Sequence, residues 1–108
     1  MKKTIKLSLE PYFGNLYVAH TKEAYNNKHK SLFGDYDEIK PLMGGRFASA
    51  NDKHGTLTYL IWAKDKNFLV HEMSHVVLDL FEITGIDPRE CGGEPFCYML
   101  CSLLSRCK

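Results

Sequence analysis

The chain has 108 residues, 44% of them hydrophobic, and a formal net charge of +1. A chain of this length has a modest core, so we expect a single domain over residues 1–108 with room for one site. The ordinary composition indicates neither disorder nor the polybasic surface typical of nucleic-acid-binding proteins, and we therefore expect no nucleic-acid partner.

The N-terminal segment does not have the pattern of a targeting signal. Residues 1–9 contain no continuous apolar region, and no later stretch approaches the roughly 20 apolar residues of a membrane span. We therefore expect a cytoplasmic protein with no membrane partner. All four cysteines fall in the last 18 residues, whereas disulfides usually join distant parts of a small domain, so we predict reduced thiols (Cys91, Cys97, Cys101 and Cys107).

The first two thirds of the chain predict strands and one short helix. Alternating or β-branched apolar runs predict four strands, over residues 4–9, 16–19, 46–49 and 56–63. Thr21 can cap a helix that ends near Phe33. The turn-rich segment 51–55 joins the last two strands into a hairpin. The last strand is apolar on both faces, which suits a strand that is covered on both sides.

The last third of the chain predicts two helices. Apolar residues recur at helical spacing from about residue 67 until Gly85, a residue type favoured just after a helix. A second helix is predicted from about Glu94 to Arg106, with Pro95 tolerated in its first turn. We therefore predict an α+β fold in which a small antiparallel or mixed sheet of three to four strands packs against these two helices.

The strongest functional signal lies in the first of these helices. His71 and His75 are four residues apart, so both imidazoles project from one helix face, close enough to share a metal ion. Glu72 is offset by one residue and can reach a water beside the ion without being a ligand. A hydrolytic zinc site needs two histidines, an open coordination position and a carboxylate that accepts a proton, so we predict one Zn²⁺ per chain.

Two further carboxylates are candidates for this site. Glu94 follows His75 by 19 residues, at the start of the next helix, and the packing of the two helices could bring it to the ion as the third ligand. Its alternative role is a favourable interaction with the helix dipole, since acidic residues are common in first turns. Asp79 lies one turn after His75, where it could accept the second ring N–H of a histidine ligand or remain a solvated carboxylate.

These residues carry a family resemblance. The run His-Glu-Met-Ser-His over residues 71–75, followed by Gly-Gly-Glu-Pro over residues 92–95, resembles the gluzincin branch of zinc metallopeptidases. Residues 45–104 are more narrowly similar to small, phage-encoded, zincin-like metallopeptidases of the minigluzincin type. The resemblance implies a minimal zincin-like fold. If the chain is phage-encoded, it also implies that the protein is located in the cytoplasm of the host. It also implies roles for five residues: His71, His75 and Glu94 as ligands, Glu72 as general base, and Asp79 behind the ligands.

The resemblance does not assign the group that stabilises the oxyanion. Larger gluzincins supply a histidine or tyrosine from a further domain, whereas here about 14 residues follow Glu94. Tyr98, one turn beyond Glu94, is the local candidate. Its other predicted role is a buried tyrosine that bonds to the ligand carboxylate. The remaining histidines are predicted to be ordinary surface residues (His20, His29 and His54).

The cysteines offer a competing zinc site. Cys97 and Cys101 share a helix face, and thiolates bind zinc well. The chain has no Cys-x-x-Cys pair, however. Cysteines in an apolar helix are mostly small buried hydrophobic residues, and this is our prediction for the pair.

The sequence therefore predicts a zinc metallopeptidase that cleaves a protein or peptide substrate with Glu72 as general base. The extended substrate would pair with a free sheet edge, for which the strand over residues 56–62 is the candidate. One alternative is a catalytically weak or inactive binding module, stabilised by zinc, that sequesters a host protein. Another is a non-peptidase zinc hydrolase with the same ligands.

Overall fold

A computed structural model describes residues 4–107 of the chain. It shows a small α+β fold with a four-stranded mixed sheet and three helices. In chain order the elements are β1 (Thr4–Ser8), β2 (Asn15–Ala19), α1 (Lys22–Phe33), β3 (Gly45–Asn51), β4 (Leu57–Ala63), α2 (Lys66–Thr84) and α3 (Glu94–Ser105). A short 3₁₀ turn, Glu90–Gly93, directly precedes α3. The predicted strands and helices are confirmed, with ends that differ by one or two residues.

The strand order in the sheet is β1-β2-β4-β3. β1 pairs with β2 and β3 pairs with β4 in antiparallel hairpins, while β2 and β4 are parallel neighbours. β4 is therefore paired on both sides, and our prediction that it offers a free edge to a substrate is wrong. The described sheet has its two edges at β1 and β3.

The sheet separates two apolar layers, which explains why β4 is apolar on both faces. Tyr59 and Ile61 of β4 pack in the larger core with the buried sides of α2 and α3. Leu60 and Trp62, at the alternate positions, pack in a smaller cluster with Tyr25 of α1. The helix that the sequence predicts from Thr21 onward thus covers the face of the sheet opposite the other two helices.

Helix α2 has clear signals at both ends. The Asp65 carboxylate accepts a hydrogen bond of 2.9 Å from the Phe68 N–H, and Gly85 ends the helix in a left-handed conformation with a φ of 79°. Five apolar residues of α2 are completely buried against the sheet and α3: Met73, Val76, Val77, Leu80 and Phe81. This packing leaves the side that carries His71 and His75 exposed.

Among the described residues, none of the helices combines the length and apolarity needed to cross a bilayer.

Candidate metal centre

Two histidine nitrogens on α2 face each other across a short gap. The Nε2 atoms of His71 and His75 are 3.2 Å apart, and the two rings meet edge to face with centroids 4.8 Å apart. Zinc–nitrogen bonds of about 2.0–2.1 Å at a tetrahedral angle place two ligand nitrogens roughly 3.3–3.4 Å apart. The observed separation therefore fits a single ion bound by both histidines.

The Glu72 carboxylate lies beside this pair but deeper in the fold. Glu72 is only 6% exposed, whereas the His71 side chain is 63% exposed. Its Oε2 atom is 4.0 Å from His71 Nε2, which is longer than the roughly 3.3–3.4 Å expected between two ligands of one tetrahedral ion. The carboxylate is therefore better placed to contact a water next to the ion than to bind the ion itself.

These three side chains form one compact group. Their candidate ligand atoms all lie within 4.8 Å of one another, and no other group of three or more histidine, cysteine, aspartate or glutamate side chains is this compact within residues 4–107.

The surroundings of Glu72 change its acidity. Burial raises the pKa of the Glu72 carboxyl above its usual value, and three basic side chains nearby act in the opposite direction (His71, His75 and Arg46). A carboxylate that has lost contact with water binds a proton more strongly than an exposed one. This environment suits a group that accepts a proton from water.

The start of β3 packs unusually closely against α2. A Cβ atom on Gly45 would lie 2.7 Å from Glu72 Oε2 and 3.0 Å from the Trp62 carbonyl oxygen, and a Cβ atom on Gly44 would overlap the ring of Phe68. Only glycine allows this approach. We predicted no role for these glycines from the sequence, although two adjacent glycines at the start of a strand are a signal of close backbone packing.

A second residue of β3 packs against a histidine of the group. The Phe47 ring lies 5.6 Å from the His75 ring and 5.9 Å from the Tyr59 ring, measured between centroids. The exposed His75 ring thus lies against an aromatic side chain of the edge strand. The alternating strand pattern places Phe47 on the α2 side of the sheet, but the sequence alone does not show which histidine it meets.

The Asp79 carboxylate hydrogen-bonds a tyrosine of β4. Its Oδ2 atom accepts a hydrogen bond of 2.7 Å from the Tyr59 hydroxyl. Burial and this carboxylate raise the pKa of Tyr59 far above its usual value, so the hydroxyl remains a donor. No hydrogen bond joins Asp79 to His75 within the described part of the chain, and the role of Asp79 in orienting a ligand stays a prediction.

Glu94 is the first residue of α3 and is exposed. It is not a member of the compact group around His71 and His75. Helix α2 continues from Val76 to Thr84 beyond the motif, a distance of about 13 Å along its axis. Near that end, the rings of Phe81 and Phe96 join α2 to the first turn of α3, with centroids 6.0 Å apart. The role of Glu94 as third ligand stays a prediction.

Tyr98 is 72% exposed, so the prediction of a buried tyrosine is wrong. Helix α3 buries Met99 and Leu103 against the core, and Tyr98 lies outside that face. The same packing leaves Cys97 and Cys101 exposed, in contrast to the buried positions that we predicted. The possible role of Tyr98 at the oxyanion stays a prediction.

All four cysteines are free thiols, as predicted. The one compact group of candidate ligands within residues 4–107 contains no cysteine, so the competing thiolate site does not form there. His20 and His54 are exposed, as we expected of surface histidines. His29 is instead partly buried, where it contacts the Phe33 ring and hydrogen-bonds the Asp35 carbonyl.

Comparisons of the chain with protein-family models, with curated proteins and with solved structures find no match.

Proposed function

We propose that the chain is a zinc-dependent metallopeptidase with a minimal zincin-like fold, of the small phage-encoded minigluzincin type. One zinc ion is held by His71, His75 and Glu94. The observation that carries the proposal is the pair of Nε2 atoms 3.2 Å apart with the buried Glu72 carboxylate beside them. The donor atoms are those that zinc prefers, and their spacing fits one ion.

Each residue of the group has a distinct task in this proposal. Zinc at this position supplies a Lewis acid that lowers the pKa of water and polarises the scissile carbonyl. Glu72 accepts the proton of the attacking water and later passes it to the leaving amine. Its burial strengthens its hold on that proton. Phe47 packs against the His75 ring, and Gly45 leaves room for the Glu72 side chain.

The substrate in this proposal is an extended peptide that adds to the free edge of β3. This strand begins beside Glu72 and carries Phe47 against His75, so a peptide paired with it passes close to the metal. Val70, which precedes His71 in the chain, and Leu78, about one turn after His75, are exposed on α2. We expect them to favour apolar substrate side chains on either side of the cleaved bond. The reaction takes place in the cytoplasm, which is the host's if the chain is phage-encoded.

Coordination of zinc by Glu94 requires a movement of the first turn of α3. The Glu94 carboxylate makes no hydrogen bond or ion pair within residues 4–107, so its side chain is available for coordination. Because it lies outside the compact group, the first turn of α3 must approach His75 when zinc binds. The Gly92–Gly93 pair before this turn has positive φ angles of 68° and 82° and gives the chain a place to change direction.

The position of Glu94 also favours a second candidate function. If α3 does not approach the ion, the two histidines form a weaker zinc site that stabilises the fold without turnover. The chain would then act as a binding module that sequesters a host protein. The two functions differ in what they require of Glu72.

The deciding experiment compares the wild-type chain with Glu72→Gln in zinc content and in cleavage of a fluorogenic peptide library. The peptidase proposal predicts one zinc per chain in both proteins and a loss of cleavage of about a hundredfold or more in the variant. The exposed residue Glu82 on the same helix provides the matched control, since Glu82→Gln should change neither quantity.

The remaining outcomes separate the competing roles. Loss of zinc from Glu72→Gln would make Glu72 a ligand rather than a base. Undiminished cleavage by the variant would remove Glu72 from the mechanism. A zinc-loaded wild-type chain that cleaves no member of the library would support the binding module instead.

A further inference from the structure

A surface cavity of about 540 Å³ lies along the outer side of β1. β1 and β3 are the opposite edges of the described sheet, so this cavity is separated from the metal centre by the width of the sheet. Its lining includes the consecutive β1 residues from Thr4 to Leu7, together with Tyr17, Lys28 and Arg106. Three of the lining side chains are cationic: Lys6 of β1, Lys28 of α1 and Arg106 at the end of α3.

Within residues 4–107, no acidic side chain pairs with the positive charge of this cavity. None of the described residues that line it is acidic. The ion pairs found within residues 4–107 involve none of the three cations. This concentration of charge contrasts with the net charge of +1 for the whole chain. The cavity therefore attracts an anionic group.

The cations are held in position before any ligand binds. The ammonium groups of Lys6 and Lys28 lie 5.8 Å and 4.4 Å from the centroid of the Tyr17 ring. The Arg106 guanidinium donates hydrogen bonds to the Ser8 carbonyl at 3.0 Å and to the Ser102 carbonyl at 3.3 Å. Side chains that are already ordered lose less conformational entropy when they bind a partner.

The backbone of β1 indicates the shape of the partner. In the described sheet β1 pairs only with β2, so its outer backbone groups are open to an added strand. Side chains on a strand alternate between the two faces. An added strand with a carboxylate at every second position would therefore direct all of these carboxylates to one face of the sheet. In one of its two alternating registers this is the face that carries Lys6 and Tyr17.

Protection against aggregation and binding of nucleic acid are two roles that fit this positive charge less well. A lysine on an edge strand can serve to prevent aggregation. That purpose does not require Lys28 from α1 or Arg106 from the end of α3. A single-stranded nucleic acid would need an open aromatic face for base stacking. Among the described residues that line this cavity, the aromatic ring is that of Tyr17, and the Lys28 ammonium lies over it.

We propose that the β1 edge binds an extended acidic peptide segment of a partner protein by strand addition. The Lys6 and Lys28 ammonium groups pair with carboxylates at alternate positions of that segment. Arg106 marks one end of the binding edge, because it already occupies the Ser8 carbonyl. This surface and its partner are independent of the proposed peptidase activity.

The test uses the full chain and two fluorescein-labelled peptides, Glu-Val-Glu-Val-Glu-Val and the neutral Gln-Val-Gln-Val-Gln-Val. Fluorescence anisotropy gives the affinities, and amide chemical shifts in NMR spectra locate the bound peptide. We expect the acidic peptide to bind at least about tenfold more tightly than the neutral one. The shifts should cover Thr4–Ser8 rather than β3.

Matched variants separate local charge from net charge. The double variant Lys6→Gln/Lys28→Gln should weaken binding of the acidic peptide by about tenfold, and Lys6→Arg/Lys28→Arg should retain it. Lys53→Gln/Lys66→Gln changes the net charge equally at exposed positions elsewhere and should have no effect. Circular dichroism checks the fold of each variant.

Three results would overturn the proposal. The first is equal affinity for the acidic and neutral peptides. The second is a set of shifts centred on β3, which would assign the binding to the other edge. The third is tighter binding of an oligothymidylate than of the acidic peptide, which would make the cavity a nucleic-acid site.

Discussion

At the scale of single residues, Gly45 determines how closely β3 approaches Glu72. We predict that Gly45→Ala displaces the Glu72 carboxylate, because the added Cβ atom would lie 2.7 Å from its Oε2 atom. A displacement of about 1 Å in a catalytic group can reduce turnover by about a hundredfold. Zinc content should be unchanged, since the proposal does not make Glu72 a ligand. Elemental analysis and the fluorogenic peptide assay measure the two effects.

The control for this variant is Ser31→Ala, an exposed position on α1 at the opposite face of the sheet, which should change neither zinc content nor cleavage. Full activity of Gly45→Ala would show that the position of the Glu72 carboxylate does not limit the reaction.

The site residues whose proximity could be predicted from the sequence are those on a single helix. His71, Glu72 and His75 lie within two turns of α2, so their spacing alone brings them together. The exposure of Tyr98 and Cys97 could not be predicted in the same way. Helix α3 carries apolar side chains over most of its circumference, so its sequence does not define one buried face.

At the scale of elements, the Asp37 carboxylate joins three parts of the chain. It accepts a hydrogen bond of 2.7 Å from the Tyr25 hydroxyl of α1 and two from the Arg46 guanidinium of β3, at 2.6 Å and 3.0 Å. The Asp37 N–H also donates to the Asn26 side chain. These bonds hold the segment between α1 and β3 against both elements.

We predict that Asp37→Asn destabilises the fold at pH 7 by about 2 kcal/mol, the usual value of hydrogen bonds to a charged group. The Arg46 guanidinium lowers the pKa of Asp37 in the folded chain. The ionised Asp37 carboxylate therefore contributes its full stabilisation well above pH 4, the usual pKa range of an aspartate. This stabilisation is lost as the pH falls through the lowered pKa of Asp37 in the folded chain. Urea unfolding at pH 7 and at pH 3 measures this difference.

The wild type and Asp37→Asn should thus converge in stability at low pH. Glu38→Gln, at an exposed position next to Asp37, is the control and should be close to wild type at both values. A difference between wild type and Asp37→Asn that is equal at pH 7 and pH 3 would contradict a role for the charged carboxylate.

The elements themselves were predictable because their signals are local. Thr21 accepts a hydrogen bond of 2.9 Å from the Ala24 N–H, and Gly85 ends α2 in a left-handed conformation, as their residue types indicate. The parallel pairing of β2 with β4 depends on contacts between distant residues, and no local pattern specifies it. The apolar character of β4 on both faces was the available signal that it lies inside the sheet.

At the scale of the whole molecule, the distance between Glu94 and the histidines depends on how α3 packs against α2. The spacing of 19 residues between His75 and Glu94 contains no information about this packing. The long continuation of α2 beyond the motif and the Phe81–Phe96 contact determine where α3 begins. Whether metal binding draws the two helices together is therefore a property of the folded chain, and it can be measured through stability.

We predict that zinc stabilises the wild-type fold and that part of this effect depends on Glu94. Zinc at a hundredfold excess over its Kd stabilises a folded chain by about 2.7 kcal/mol, which raises the Tm of a domain of this size by roughly 10–20 °C. His71→Ala should abolish the shift. Glu94→Ala should weaken zinc binding at least about tenfold, since even indirect partners of a metal contribute this much. Differential scanning calorimetry across a zinc titration measures the shift in Tm and the affinity for zinc.

Glu90→Ala, which removes an exposed carboxylate just before α3, is the matched control. A Glu94→Ala titration identical to that of Glu90→Ala would exclude Glu94 as a ligand and leave the two histidines as the zinc site of a binding module.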